Sequence, residues 1–292
     1  MPELPEVETI RRGLNDLLVG KKITSVSCID SPKSFPNDPE KVRQFVNGAH
    51  VIAVRRRAKV LFIDLDTHYT LMVHLKMTGQ LVFVGTNRWG GGHPSDSLVG
   101  ALPDRFTRVI ISFDDTSQLF FNDLRKFGWM KLLPTAEIPT LPFMQRVGPE
   151  PLDSSLTSRQ FIERVRRHNN TCIKAAILNQ AVIAGVGNIY ADESLWAAYI
   201  HPATRVSKLS DEQLQKLLHC IQKVMQLSID NGGSTDKNYV DAEGRKGNYL
   251  SFANVFRREG LACKRHPGVL VEKIRVAGRG THICPVCQVE VV

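Results

Sequence analysis

Midway along the chain the hydrophobic period turns from that of strands to that of helices, and no single layer of structure accommodates both halves. From Lys22 to Leu133 the apolar residues fall in short runs, at His50 to Val54, Val60 to Leu65, Thr70 to Leu75, Leu81 to Val84, Val109 to Phe113 and Gln118 to Asn122. Turn-formers such as Asp114-Asp115-Thr116-Ser117 separate them. Short runs closed by tight turns are antiparallel strands, so this half is expected as a sandwich or barrel. Beyond five prolines, at 134, 139, 142, 149 and 151, the spacing turns helical over Ser158 to Arg167, Thr171 to Asn179, Ala191 to Ala198 and Asp211 to Ser228. One amphipathic helix precedes the strands, with Val7, Ile10, Leu14 and Leu17 on one side and Arg11, Arg12 and Asn15 on the other. The expected fold is α+β and multidomain: an N-terminal helix with an antiparallel β-sandwich over 1–133, a proline-rich linker over 134–151, a helical domain over 152–250 and a basic Cys/His-bearing tail over 251–292. Gly85 to Arg105, with Gly90-Gly91-Gly92 and no period, is expected as a mobile surface loop, and the polar stretch following Asn231-Gly232-Gly233-Ser234 as a flexible one.

With 292 residues, 42% of them hydrophobic and 23% charged, the chain can bury more than one core, which excludes a mostly disordered or fibrous protein. No apolar run approaches the ~20 residues that cross a bilayer, and the start MPELPEVETIRRGL lacks the basic, greasy pattern of a signal peptide. A soluble cytoplasmic protein without membrane contact is the expectation. The formal charge of +9 favours a polyanionic partner. Six cysteines are too few for a disulfide scaffold: Cys28, Cys172 and Cys220 stand alone, whereas Cys263, Cys284 and Cys287 crowd the C-terminus.

Two patterns carry chemistry. Met-Pro at the start lets the initiator methionine be removed, leaving Pro2 as a secondary amine that titrates far below a lysine and is partly neutral at physiological pH. Such an amine attacks a sugar aldehyde carbon to form a Schiff base. Glu3 and Glu6, three apart, place acid/base groups beside it. The same pattern also opens many ordinary helices. At the other end, Cys263-x2-His266, seventeen residues from Pro267 to Ile283, then Cys284-x2-Cys287 is knuckle spacing for one structural Zn2+. His282 competes with His266 for the fourth place, but it sits two before Cys284, where a strand would aim it elsewhere.

Pro2-Glu3-Leu4-Pro5-Glu6-Val7-Glu8-Thr9 resembles the N-terminal signature of the bacterial formamidopyrimidine-DNA glycosylase family. Arg56-Arg57-Ala58-Lys59, His74-Leu75-Lys76-Met77-Thr78-Gly79, Asp123-Leu124-Arg125-Lys126-Phe127-Gly128 and Gly185-Val186-Gly187-Asn188-Ile189-Tyr190-Ala191 are similar to further segments of that family, in order along nearly the whole chain. The resemblance implies a helix–two-turn–helix domain with a lesion-capping loop and a zinc-finger β-hairpin. It also implies a bifunctional glycosylase and abasic-site lyase for oxidised purines in damaged double-stranded DNA, acting as a monomer in base excision repair. Pro2, Glu3, Lys59 and Arg279 would then serve catalysis, with Lys59 near the lesion and Arg279 on a phosphate at the hairpin tip. Met77, Arg125 and Phe127 would fill the void left by an extruded nucleotide, Lys174 and Asn188 would bind phosphates, and Glu6 would anchor the N-terminal helix at the DNA. Cys263, His266, Cys284 and Cys287 would hold the zinc, although family members usually carry four cysteines. The His-x-His pair that members often carry before Arg105-Phe106-Thr107-Arg108 is missing, and the 85–104 stretch is longer. An endonuclease VIII-like enzyme for oxidised pyrimidines is the neighbouring reading, disfavoured because those relatives usually begin Pro-Glu-Gly-Pro-Glu. A non-catalytic zinc-finger DNA-binding protein is the reading that needs no free Pro2.

Overall fold

A computed structural model describes residues 2–29, 31–234 and 249–291. The chain forms two compact units, the first comprising residues up to Gln145 together with Asn231 to Ser234, the second comprising Arg146–Asp230 and the described residues from Tyr249 onward. The division therefore falls inside the proline-rich stretch. The expected helical domain over 152–250 yields Asn231 to Ser234 to the first unit, and the rest of the expected lesion-capping loop lies outside the described residues.

In the first unit, helix α1 (Leu4–Leu18) is followed by β1 (Ile23–Cys28), α2 (Pro39–Phe45), β2 (Val51–Arg57), β3 (Val60–Leu65), β4 (Tyr69–His74), β5 (Gly79–Val84), β6 (Arg88–Gly92), β7 (Thr107–Phe113), β8 (Gln118–Asp123) and β9 (Trp129–Pro134). Two antiparallel sheets result, in the orders β1-β7-β8-β5-β6 and β2-β3-β4-β9. Their inner faces bury Leu61, Ile63, Leu71, Leu81, Val109, Leu119 and Phe121 in one core with Val7, Ile10, Leu14 and Leu18 of α1. The run Val60 to Leu65 lacks alternation because both its faces are covered. Leu61 and Ile63 face the core, while Val60 and Phe62 pack under Ile138, from a 3-10 turn at Thr135–Thr140. The proline-rich stretch is thus partly a cover for the sheet, and it continues into α3 (Pro142–Arg146).

The expectation of a mobile loop over Gly85 to Arg105 is corrected. Arg88–Gly92 pairs with Gln80 to Val84 as the edge strand β6, Trp89 is buried in the main core, and Leu98 of a short 3-10 turn packs on Val82 and Phe120 across the sheet's outer face. Three consecutive glycines carry no side-chain pattern, so the pairing is made by backbone alone and leaves no period to read.

In the second unit, α4 (Ser158–Arg166), α5 (Ile173–Leu178), α6 (Asn188–Ala198) and α7 (Asp211–Asp230) are followed by the single turn α8 (Tyr249–Phe252) and a hairpin of β10 (Glu272–Val276) and β11 (Arg279–Ile283). Thr157 starts α4, its hydroxyl accepting from Gln160 N–H while the Gln160 side chain accepts from Thr157 N–H, a reciprocal cap readable in the sequence. α6 is the central element, with Tyr190 to Trp196 buried without interruption. Among the described residues no helix is long and apolar enough to cross a membrane.

Candidate active site and nucleic-acid interface

Pro2 and Glu3 are buried at the head of α1, Glu3 with 4% of its surface exposed. Glu6 turns back on this end: one carboxylate oxygen accepts from Glu3 N–H at 2.8 Å and the other from Ser234 N–H at 2.8 Å. It thereby joins the first turn of α1 to the stretch that opens the 234–248 segment. Two residues further on, Glu8 accepts from Arg11 at 3.0 Å, Arg12 at 2.9 Å and Arg56 at 3.1 Å. Burial would raise its carboxyl, but the guanidiniums of Arg11, Arg12 and Arg56 hold it below the usual range. Arg56 also donates to the Ala58 carbonyl at 3.0 Å. This fixes a turn with Ala58 at φ 53° and places Lys59, 7% exposed, on a rigid corner tied to α1. His74 is held neutral: burial first, then the charges of Lys76 and Lys59, push its ring down to about 3, while its Nδ1 accepts from Lys76 N–H at 3.1 Å.

Two loops of the first unit present apolar side chains to solvent. Met77, between β4 and β5, is 40% exposed, and Phe127, after β8, is 54% exposed with the Arg125 guanidinium 4.9 Å from its ring centre. Packing in a core, the bland alternative for both, is not their situation. Fully buried Asp123 joins the loops by accepting from the Thr78 hydroxyl, from Arg125 N–H at 3.2 Å and from Gly128 N–H at 2.6 Å. Asp123 and Thr78 belong to the quoted motifs, yet residue type alone did not mark them as the joint. Leu124, 52% exposed beside Arg125, adds a third apolar side chain to these loops that no sequence spacing signals.

In the second unit the turn before α6 is stapled by Gln180, whose amide donates to Leu178 and Val186 carbonyls at 3.0 and 2.8 Å and accepts from Gly185 N–H at 2.9 Å. Asn188 begins α6, and its amide donates to the Gly280 carbonyl at 3.0 Å. The hairpin reverses through Ala277 and Gly278 at φ 48° and 74°, the positive pair that a two-residue hairpin turn needs, and exposes Arg279 at its tip. The expectation that Lys174 reaches a phosphate is corrected: it has no exposed surface, and its ammonium is held by Asp192 at 2.5 Å and Thr281 Oγ1 at 2.7 Å. A lysine on a short amphipathic helix reads as solvated or ligand-facing; its partners here are 18 and 107 residues away.

Cys263, His266, Cys284 and Cys287 bring one ligand atom each to within 4.8 Å of one another. Tetrahedral zinc with ordinary bond lengths puts thiolates about 3.8 Å apart and a thiolate about 3.5 Å from an imidazole nitrogen. The Cys263–Cys287 sulfurs are 3.8 Å apart, and His266 Nδ1 lies 3.2 Å from Cys287 Sγ and 3.9 Å from Cys284 Sγ, so the four fit one zinc ion. His282, the competitor, faces Asp192 instead. Two contacts seat this knuckle on α6. Buried Glu193 accepts from Asn254, Val255 and Phe256 N–H, and Arg265 lies between the Trp196 and Tyr199 rings at 3.6 and 3.9 Å.

Residues 1–130 match the family model of the formamidopyrimidine-DNA glycosylase N-terminal domain, residues 147–239 that of the formamidopyrimidine-DNA glycosylase H2TH domain, and residues 268–289 that of a zinc finger found in FPG and IleRS. With this match, the Cys263, His266, Cys284 and Cys287 cluster is a structural zinc site. A formamidopyrimidine-DNA glycosylase of Herpetosiphon aurantiacus is 41% identical over 289 residues, covering 99% of this chain and 100% of that protein. One of Pediococcus pentosaceus is 40% identical over 99% of both. Among solved structures, a Lactococcus lactis FPG mutant with DNA containing Fapy-dG superposes with a TM-score of 0.87 at 32% identity, covering 99% of this chain and 100% of that one. The Lactococcus lactis Fpg complex with abasic-site DNA does so at 0.86 and 32%, with the same coverage. This chain belongs to the formamidopyrimidine-DNA glycosylase family.

Proposed function

We propose that this protein is a bifunctional DNA glycosylase and abasic-site lyase that excises oxidised purines, 8-oxoguanine and formamidopyrimidines, from duplex DNA in base excision repair. The observation that carries the reading is a buried Pro2–Glu3 pair heading α1, in a chain that matches glycosylases along its whole length. With Met1 removed, the Pro2 nitrogen attacks C1′ of the extruded nucleoside and the C1′–N bond to the damaged base breaks, the base leaving with a proton. Glu3 transfers protons at the sugar as the ring opens to an iminium on Pro2. The iminium acidifies C2′; loss of that proton expels the 3′ phosphate, and a second elimination expels the 5′ phosphate. No organic cofactor enters these steps. The zinc supplies folding energy to the hairpin.

The exposed Met77, Arg125 and Phe127 support a void-filling role: apolar side chains offset the unstacking of the extruded base, and the guanidinium offers donors to the base left unpaired. Lys59 on its braced corner, Asn188 at a helix start and exposed Arg279 suit phosphates. Glu6 orders the first turn of α1 for DNA. Lys174 acts behind Asn188 and Arg279, bonded to the Gly280 carbonyl that Asn188 also reaches. One chain supplies every proposed group, so we assign a monomer, working on the chromosome in the cytoplasm.

The test is borohydride reduction during reaction with a duplex carrying an abasic site or 8-oxoguanine. A covalent adduct through the N-terminal peptide is expected. Attachment through a lysine overturns Pro2 as nucleophile, and no adduct with either duplex favours a DNA-binding protein without catalysis.

A further inference from the structure

Asp192 is a buried carboxylate that the proposed chemistry does not use. It lies one turn along α6 from Asn188, and its side chain is fully enclosed. One oxygen takes the Lys174 ammonium at 2.5 Å; the other accepts from His282 N–H at 2.9 Å and lies 3.1 Å from His282 Nδ1. Lys174 continues to Thr281 Oγ1 at 2.7 Å and to the Gly280 carbonyl at 3.3 Å, the carbonyl that also accepts from Asn188 at 3.0 Å. Side chains of α5 and α6 therefore meet three consecutive residues of β11, and the residue just before them is exposed Arg279.

Burying two opposite charges is weak evidence for stability, because desolvation opposes their attraction. Its geometric content is larger. An apolar pair of the same volume would fill the space but let the strand slide, whereas this carboxylate and ammonium bond to the strand at defined backbone and hydroxyl positions. We propose that Asp192 is a positioning residue: through Lys174 and His282 it locks the hairpin tip to the helical turn, so that Arg279 and Asn188 grip DNA phosphates as one preorganised unit. Ordering of the tip is then completed in folding and does not oppose DNA binding. The inference rests on the reading of Arg279 and Asn188 as phosphate ligands.

The experiment is a double-mutant cycle on the zinc-loaded full chain, measuring affinity for a duplex with a tetrahydrofuran abasic analogue and for the undamaged duplex over a series of salt concentrations. Asp192→Asn is expected to weaken both about tenfold and to lower the salt slope by about one, with zinc content unchanged. In an Arg279→Ala background the same change is expected to add less than about twofold, since the group it positions is gone. A full additive loss in that background, or no loss from Asp192→Asn alone, overturns the proposal. Arg279→Ala without effect on its own overturns the phosphate reading itself, and the proposal falls with it. If Asp192→Asn fails to hold zinc, Thr281→Val carries the same cycle: it removes the shorter of the lysine's two bonds to the strand, the one to the hydroxyl, without removing a charge. A smaller loss that vanishes with Arg279→Ala is expected, and an additive or absent loss is the contrary result.

Discussion

Glu3 and Glu6 lie three apart in one turn, and their surroundings divide them. Glu6 has both oxygens on backbone donors, at 2.8 Å each, which makes it an anchor. Glu3, 4% exposed beside Pro2, is the carboxyl proposed above to transfer protons at the sugar. Glu3→Gln should therefore cut base excision by about a hundredfold or more while keeping affinity for damaged duplex within about twofold, because one carboxyl adds little to phosphate binding. Single-turnover excision and binding measured on the same duplex check this; parallel losses would place Glu3 in binding. His74 makes a prediction in pH. Its ring, ordinarily near 6.5, is pushed down to about 3 by burial and by Lys76 and Lys59. Below the ordinary value the unfolded chain takes up a proton that the folded chain refuses, so stability present above that value is lost as pH falls, by about 2 kcal/mol at pH ~5. His74→Asn keeps an acceptor for Lys76 N–H and does not titrate. The stability gap between the wild type and this variant should shrink from neutral pH to pH ~5 in urea unfolding, and a constant gap would remove His74 as the cause.

At the scale of elements, β6 braces the helix that carries the proposed nucleophile. Trp89, 2% exposed, packs against Gly13 of α1, where a Cβ would come within 2.5 Å of its ring. Trp89→Ala should cost about 3–5 kcal/mol by leaving a cavity between strand and helix. Thermal unfolding checks this, and a loss below about 1 kcal/mol would return the stretch to a dispensable loop. The two exposed loops carry a kinetic prediction. Phe127→Ala should slow excision from fully paired 8-oxoguanine duplex more than cleavage at an abasic site, where less stacking is broken. Equal effects on the two substrates would remove the wedge role. The division of the chain into sandwich and helices, the terminal ligands and the five motifs were legible because each is local: a period, a spacing or a string of residues. What stayed hidden is made at a distance. β6 is paired through glycine backbone, Val60 and Phe62 are covered by a turn that follows the last strand of the sheet, and Lys174 is matched to β11 across most of the second unit. Asp123 looked like a motif letter until the fold put Thr78 against it.

For the whole molecule, the decisive question is which part depends on the metal. The first unit has two sheets and a helix around one apolar core and needs no ligand to hold together. The knuckle has only a small cluster, Val255, Cys263, Val271, Cys284 and Cys287 against Trp196, and three of those residues are zinc ligands. A two-stranded hairpin by itself is marginal in water, so the tail takes its folding energy from zinc. Removing the ion frees three thiolates in a near-anhydrous cluster, which must then protonate or separate. Chelation should therefore release one zinc per chain, expose Cys263, Cys284 and Cys287 to thiol reagents, and abolish binding to damaged and undamaged duplex, while the sheets of the first unit keep their far-ultraviolet signal and unfold at the original temperature. His266→Ala should behave as a milder chelation, losing affinity for the ion because three thiolates leave the fourth position to water. Metal analysis returning well under one zinc in active protein, or His266→Ala with zinc content and DNA affinity both intact, would break the link from metal to hairpin to DNA.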